Sequence, residues 1–183
     1  YTDQKVSHDQ IKAIVKAASL APSAKNRQPW KYLVYEGKAK EELLSAMERG
    51  LEREKKEHCL LPGSAFALPG AFQTLSIMRK APVTIIVMDP DGRSPYEPVN
   101  ADERLAEICD SLSIGASIQN MLLKATQLGL GTLWIANTCF AYNDMVEVIP
   151  SKGQLIGAVA VGYAAEKPYP RPRKKLEEIL EYM

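Results

Sequence analysis

A long run of apolar residues between Asp102 and Leu128 is the feature that most constrains the fold. The apolar side chains recur at spacings of three and four on most sides of a helix, which predicts a helix buried centrally against several neighbours. Such a helix would be about 40 Å long, more than the thickness of a small domain. A dimer interface would account for the excess length. The apolar positions are Leu105, Ile108, Cys109, Leu112, Ile114, Ala116, Ile118, Met121, Leu122, Ala125 and Leu128.

Hydrophobic periodicity predicts helices and strands in irregular alternation elsewhere. Ser7 can cap the first helix, and Pro22 ends it. Because strict β–α–β alternation is absent, the fold class is α+β. The predicted helices are His8–Ala21, Lys38–Lys56, a short stretch ending at Lys80, Asp102–Leu128, Tyr142–Ile149 and Lys174–Tyr182. The predicted strands are Lys31–Glu36, Val83–Met88, Thr132–Ala136 and Leu155–Tyr163, and His58–Phe72 is predicted to be a loop or lid over an apolar site or a partner-contacting segment.

Composition narrows the functional class. The 183 residues fit one domain over 1–183, and 23 Lys and Arg against 22 Asp and Glu give a net charge of +1. This balance argues against a protein that wraps nucleic acid. No apolar run is long enough for a membrane helix, and no signal-peptide pattern opens the chain. Three scattered cysteines predict reduced thiols and a cytoplasmic location.

One polar loop stands out as a binding candidate. The residues APSAKNRQPW, from Ala21 to Trp30, join a predicted helix to a predicted strand. Ser23, Asn26 and Gln28 offer donors and acceptors, and two prolines stiffen the backbone that presents them. Such a loop suits recognition of a flat heterocycle with carbonyl and N–H edges. An ordinary capped loop explains these residues about equally well.

The other motifs give weaker indications of function. The two histidines have no metal-ligand spacing, and the adjacent His58 and Cys59 are a coincidental pair rather than a thiol catalytic dyad. The glycines at 129 and 131 follow a helix and precede a strand, the reverse of a dinucleotide fold, so they indicate a helix cap and a turn. The basic cluster Arg171–Lys175 fits an anion clamp better than a nucleic-acid patch.

Taken together, these segments resemble the FMN-dependent nitroreductase family. The resemblance rests on APSAKNRQPW (21–30), Asn120, LGLGTLWIA (128–136), AVGYAAEKP (160–168) and RPRKKLEEIL (171–180), which occur in the right order and at the right separations. It implies an α/β/α sandwich with a mostly antiparallel central sheet. It also implies an intertwined homodimer that binds two FMN molecules across its interface.

The resemblance implies a role for each residue that matches a family motif. All of these residues are expected to bind the cofactor, because FMN itself carries the chemistry. No catalytic residue and no metal is expected. Trp134, Ile135 and Ala136 resemble the strand end along the isoalloxazine ring, with a backbone N–H near N5. Where the family often has an acidic residue and a glycine, this chain has Ala136 and Asn137. By the same resemblance, Ser23, Asn26 and the adjacent Ala24 would reach the flavin from one subunit, and Gln28 would orient the loop. Arg171 and Arg173 would neutralise the phosphate or the reduced ring of FMN. An Arg-x-Ser-x-Arg segment that binds the FMN phosphate is expected just before Tyr1.

The implied activity is a ping-pong oxidoreductase. NADH or NADPH would pass a hydride to N5 of FMN, and a nitroaromatic, quinone or similar small electrophile would then be reduced. Dehalogenation, ene reduction or flavin breakdown on the same scaffold remain alternatives, as do a flavin-binding protein with little turnover and a structural domain without flavin. The choice of donor, the physiological acceptor and the reactivity with oxygen stay open.

Overall fold

The computed structural model describes residues 1–183. Five helices and four strands follow one another along the chain, with short 3-10 turns between them. In chain order they are α1 His8–Ser19, β1 Lys31–Glu36, α2 Gly37–Glu57, α3 Leu68–Lys80, β2 Val83–Asp89, α4 Ala101–Gln127, β3 Gly131–Ile135, α5 Tyr142–Val148 and β4 Gln154–Gly162. No helix is both long enough and apolar enough to cross a membrane.

The four strands form one antiparallel sheet in the order β1-β2-β4-β3. All seven residues of β2 are buried, which explains why its sequence is a continuous β-branched and apolar run instead of an alternating one. Ile85 of β2 lies between Val34 of β1 and Val159 of β4, and Val159 in turn faces Trp134 of β3. The predicted α+β class with an antiparallel sheet is therefore confirmed.

Helices cover both faces of this sheet. Because successive strand residues point to opposite faces, Ile86 and Met88 belong to one core and Val83, Ile85 and Val87 to the other. The first core packs against α2, α3 and α5, and the second against α1 and α4. The result is the predicted three-layer α/β/α sandwich.

Local capping signals act as the sequence indicates. The Ser7 hydroxyl accepts the Gln10 N–H at 3.2 Å, and the Gln10 side chain accepts the Ser7 N–H, so α1 begins with a capping box. Asn100 and Glu103 form the same arrangement at the start of α4. Gly129 adopts a φ of +73° just after α4, the left-handed conformation that glycine accepts without strain.

Two sequence predictions need correction. Lys174–Tyr182 is not a helix: only the turn Leu176–Glu178 forms, and this terminal segment is exposed throughout. An isolated helix this short is unstable without a surface to pack on. The segment His58–Phe72 is also more ordered than a loop, since Pro62–Ala67 is a 3-10 turn and α3 already begins at Leu68.

Candidate functional site

The backbone of the polar loop is strained. Lys25, Asn26 and Gln28 adopt φ values of 53°, 55° and 51°, all in the left-handed region. For lysine and glutamine this costs about 1–2 kcal/mol each, whereas asparagine adopts the conformation more readily. Non-glycine residues in such conformations cluster at ligand-binding segments, where surrounding contacts hold them in place. The loop therefore has the backbone of a preformed binding segment.

Three polar contacts hold the loop. The Gln28 N–H donates to the Ser23 hydroxyl at 3.0 Å, which closes the loop on itself. The Ala24 N–H donates to the Ser113 hydroxyl of α4 at 3.2 Å, and the Arg27 guanidinium pairs with the Asp110 carboxylate of α4 at 3.2 Å. The side chains of Asn26 and Gln28 are exposed, and the Gln28 amide nitrogen makes only a long hydrogen bond of 3.5 Å to the Asn26 carbonyl oxygen, so both amide groups are accessible to a ligand.

The end of β3 is the second predicted contact region. Ile135 is buried while Trp134 and Ala136 are exposed, so two neighbours of the buried residue face solvent. The Trp134 ring lies beside Gly115 of α4, where a Cβ would sit 3.7 Å from the ring. On β4, a Cβ at Gly157 would collide with the Ile135 carbonyl oxygen. Glycine at 157 is thus required for the close approach of β3 to β4 at this point.

Within one chain, the loop and the end of β3 lie on different flanks of α4. Residues on an α-helix are about 100° apart, so Ser113, which holds the loop, and Gly115, which lies beside Trp134, point about 200° apart. Between these flanks runs an exposed apolar stripe. The stripe consists of Leu105, Ile108, Leu112 and Leu123, with half-buried Cys109 and Ala116.

The loop-side flank contains a shallow groove. It is lined by Pro22, Ser23 and Ala24 from the loop side and by α4 side chains that include Leu112 and Ser113. The groove opens directly onto the apolar stripe. The predicted residues Ser23 and Ala24 therefore lie together at the edge of the stripe, and the predicted residues Trp134 to Ala136 lie on the other side of it.

Asn137, next to Ala136, anchors the end of β3 to α3. Its amide nitrogen donates to the Thr74 hydroxyl at 3.1 Å, while its side-chain oxygen is buried and has no partner. Buried amide oxygens normally accept a hydrogen bond, so this one is unusual. The side chain at this position holds the strand end in place instead of facing solvent.

Arg171 and Arg173 lie apart from the other predicted residues. Both belong to the exposed terminal segment, and the Arg173 guanidinium donates only to the carbonyl oxygens of Arg171 and Pro172, each at 3.2 Å. No hydrogen bond or ion pair joins either arginine to the loop or to the end of β3. Neutralisation of the FMN phosphate or of the reduced ring by these two arginines stays a prediction.

The other chemical candidates carry no catalytic arrangement. No group of three or more His, Cys, Asp or Glu side chains is placed to hold a metal ion. The Cys59 thiol donates to the Glu54 carboxylate at 3.3 Å, and this hydrogen bond, together with burial, raises the pKa of Cys59. A raised pKa disfavours the thiolate that nucleophilic catalysis needs. Cys59 and His58 are thus not an activated pair.

Sequence reasoning missed two residues that hold the loop, Asp110 and Ser113. Both lie within the helix that was predicted as an apolar element. A polar row at positions 110, 113, 117 and 120, with helical spacing, is the signal that marks them.

Comparison with known proteins identifies the family. The model of the Nitroreductase family matches residues 1–163. A protein of Archaeoglobus fulgidus, provisionally named an NADH dehydrogenase/NAD(P)H nitroreductase, is 28% identical over 136 residues, which cover 74% of this chain and 59% of that protein. A provisionally named NAD(P)H nitroreductase of Streptococcus pyogenes is 26% identical over 99% of this chain and 92% of its own length.

Solved structures share the fold. The FMN-dependent nitroreductase NfnB from Mycobacterium smegmatis, solved in complex with NADPH, has a TM-score of 0.76 at 18% identity, over 100% of this chain and 91% of its own. A BluB-like flavoprotein from Clostridium difficile 630 has a TM-score of 0.74 at 23% identity, over 100% of this chain and 92% of its own. The family model matches residues 1–163, and the three-layer sandwich is the fold of these solved structures: the chain belongs to the Nitroreductase family.

Proposed function

We propose that this protein is an FMN-dependent NAD(P)H oxidoreductase that reduces small electrophiles such as nitroaromatics or quinones. Family membership over residues 1–163 carries the proposal. The names of relatives and of structural neighbours, which include NAD(P)H nitroreductases and FMN-dependent enzymes, point the same way. When bound, FMN supplies the redox chemistry, with hydride accepted at N5 from NADH or NADPH and electrons delivered to the second substrate in a ping-pong cycle.

The residues present fit a flavin. The preformed loop offers the exposed amides of Asn26 and Gln28, which suit the carbonyl and N–H edge of an isoalloxazine. The exposed Trp134 and Ala136 supply a flat surface and an open backbone against which a ring can lie. Ser23, Ala24, Asn26 and Gln28 would hold one edge of the cofactor, and Trp134, Ile135 and Ala136 its face.

The two groups of residues meet across a homodimer. They lie on opposite sides of the exposed apolar stripe of α4, in which Leu112 is 70% exposed and Leu105 is 62% exposed. An exposed row of large apolar side chains of this kind is typical of an interface. If the stripes of two copies pack about a two-fold axis, the loop of one copy comes to the β3 end of the other. Each FMN site would then need both chains.

The terminal segment fits the same assembly. Tyr169, Leu176, Ile179 and Tyr182 are all more than half exposed, although they are the kind of side chains that bury on folding. Packed on a partner, this segment would intertwine the two chains. It would also bring Arg171 and Arg173 to a site where their charges stabilise the FMN phosphate or the reduced ring. Reduced Cys59, Cys109 and Cys139 fit a cytoplasmic protein.

Reconstitution and turnover test this function. The purified full-length protein, titrated with FMN, should quench flavin fluorescence at one FMN per chain. Without oxygen, the loaded protein should then oxidise NADH or NADPH beyond one equivalent per flavin only when a nitroarene or quinone is present, with the parallel double-reciprocal lines of a ping-pong cycle. Failure to bind FMN, or binding without acceptor-dependent oxidation of either nucleotide, would contradict the proposal. Buffer with free FMN but no protein is the control.

A further inference from the structure

A row of polar side chains runs along one flank of α4. Asp110, Ser113, Ser117 and Asn120 are spaced by three, four and three residues, so they point the same way from the helix. Asp110, Ser113 and Ser117 are buried, and Asn120 is half-buried. Buried polar side chains are stable only when each finds a partner. Ser113 and Ser117 each donate to a carbonyl oxygen of α4, and one carboxylate oxygen of Asp110 has no partner. The partners that the row has outside α4 all come from one stretch of chain.

That stretch is the connection from α1 through the polar loop to β1. Asn120 donates to the Ala17 carbonyl oxygen at 3.3 Å, at the end of α1. The hydroxyls of Ser117 and Tyr32 are 2.8 Å apart, at the start of β1. Between these two ends, Ser113 accepts the Ala24 N–H and Asp110 pairs with Arg27. The row thus holds both ends of the connection and two points within the loop.

We propose that Asp110 and Ser113 are positioning residues that set the conformation of the flavin-binding loop. This inference rests on the proposed FMN-dependent function. Neither residue needs to touch the cofactor, because each acts through the loop. Lys25, Asn26 and Gln28 are in the left-handed region, and such a loop relaxes to other conformations unless contacts from outside hold it. A loop held in its binding conformation binds more tightly because less ordering is needed.

The geometry of both contacts fits this role. The Ser113 hydroxyl donates to the Cys109 carbonyl oxygen at 2.7 Å and is therefore oriented to accept the Ala24 N–H. The Asp110 side chain is 7% exposed, whereas the Arg27 side chain that reaches it is 41% exposed. A buried carboxylate needs a cationic partner, and here the partner is a residue of the loop. The loop cannot move away without leaving that charge unpaired.

The first test replaces Ser113 by Ala and measures the dissociation constant of FMN by fluorescence titration of the full-length protein. The expected result is an increase of about tenfold, the change that corresponds to one lost hydrogen bond of this kind. Ser113→Thr, which keeps an acceptor hydroxyl, should restore most of the affinity. Ser45→Ala, at an exposed serine in α2, is the matched control and should bind FMN like the wild type.

The second test is a double-mutant cycle between Arg27→Gln and Asp110→Asn. Each single variant should bind FMN about tenfold more weakly, and the double variant should be no weaker than either single one. Hydrogen exchange at residues 23–28 should accelerate in every weakened variant, while kcat at saturating FMN changes by less than twofold. A positioning role predicts this split, because the loop regains its conformation once FMN is bound.

Two results would overturn the inference. One is FMN affinity within twofold of wild type in Ser113→Ala. The other is additive loss of affinity in the Arg27 and Asp110 cycle. If Asp110→Asn fails to fold, the FMN affinities of the Ser113 variants still test the positioning role. A wild-type protein that binds no FMN would instead contradict the proposed function itself, so the two failures are distinguishable.

Discussion

Glu54 shows how one buried side chain can organise a whole turn. Glu54 is 1% exposed, and its carboxylate accepts the N–H groups of Leu61, Leu60 and Cys59 at 2.8, 2.9 and 3.1 Å. Burial by itself would raise the pKa of Glu54, but the hydrogen bonds from Leu61, Leu60 and Cys59 outweigh it and hold that pKa below its ordinary value. His58, at the left-handed end of α2, begins the turn that these bonds close.

We predict that Glu54→Gln lowers the free energy of unfolding at pH 7 by about 2 kcal/mol, because a charged acceptor of three N–H groups is replaced by a neutral one. The melting temperature should fall by roughly 4–8 °C for a domain of this size. Thermal unfolding followed by circular dichroism measures both. Glu57→Gln, at an exposed position of α2, is the control and should leave the melting temperature within about 1 °C of wild type, as surface substitutions usually do.

The same contact predicts a pH dependence. The pKa of Glu54 is lower in the folded than in the unfolded protein, so its contribution is present above the unfolded value and is lost as pH falls through the folded value. The gap between wild type and Glu54→Gln should therefore be full at pH 7 and shrink below about pH 4.3, the ordinary glutamate value. A gap that widens on acidification would show that the carboxylate is not stabilised by these donors.

At the scale of elements, periodicity predicts most of the fold because most elements bury one face within the chain. The strand Lys31–Glu36 is confirmed at both ends, and the predicted helix Asp102–Leu128 is within one residue of α4. The prediction of a helix over Lys174–Tyr182 was wrong, because the apolar residues of this segment have no surface in this chain to pack on.

The candidate site was predictable only in part. The composition of Ala21–Trp30 makes the loop a candidate binding segment, since its amides and prolines are local features, but binding by this loop stays a prediction. The contacts from Asp110 and Ser113 are not local: they join residues more than eighty positions apart, and no local pattern in the loop specifies its partner. The left-handed backbone conformation of Lys25 could not be predicted from the sequence either, because lysine has no preference for that conformation.

The β3–β4 pair offers a test at this scale. Gly157→Ala places a methyl group against the Ile135 carbonyl oxygen, so β3 must shift. We expect the free energy of unfolding to fall by about 1–3 kcal/mol and FMN affinity to fall with it, because Trp134 to Ala136 move. Gly70→Ala, in α3 where no atom lies near a new methyl, should be neutral or slightly stabilising. Chemical denaturation and FMN titration measure the two effects. Wild-type stability and affinity in Gly157→Ala would contradict this account of β3.

At the scale of the whole molecule, we propose that the flavin site is divided between two chains. The polar loop and the end of β3 lie on opposite flanks of α4, with the apolar stripe between them. The same assembly would explain two further features. One is the length of α4 and its exposed apolar face, and the other is the terminal segment, which has no packing partner within the chain. Both would become buried in the proposed intertwined dimer.

Leu112→Glu tests this division, because Leu112 is the most exposed residue of the stripe. Two glutamates buried at a two-fold interface should weaken the dimer by about 100-fold or more. FMN affinity should fall together with dimerisation. Analytical ultracentrifugation with and without FMN measures both. Val148→Glu, at an exposed position of α5 in the other layer, should stay dimeric and bind FMN normally. A Leu112→Glu variant that remains dimeric, or a monomer that keeps full FMN affinity, would refute the shared site.

The most direct measurement is the visible absorption spectrum of the full-length protein, recorded without oxygen before and after addition of NADH or NADPH. The protein should be yellow, and its bound-flavin absorption band in the visible range should bleach with at least one of the two nucleotides and return when a nitroarene or quinone is added. A protein that stays colourless after incubation with FMN, or a bound flavin that neither nucleotide bleaches, would contradict the proposed function.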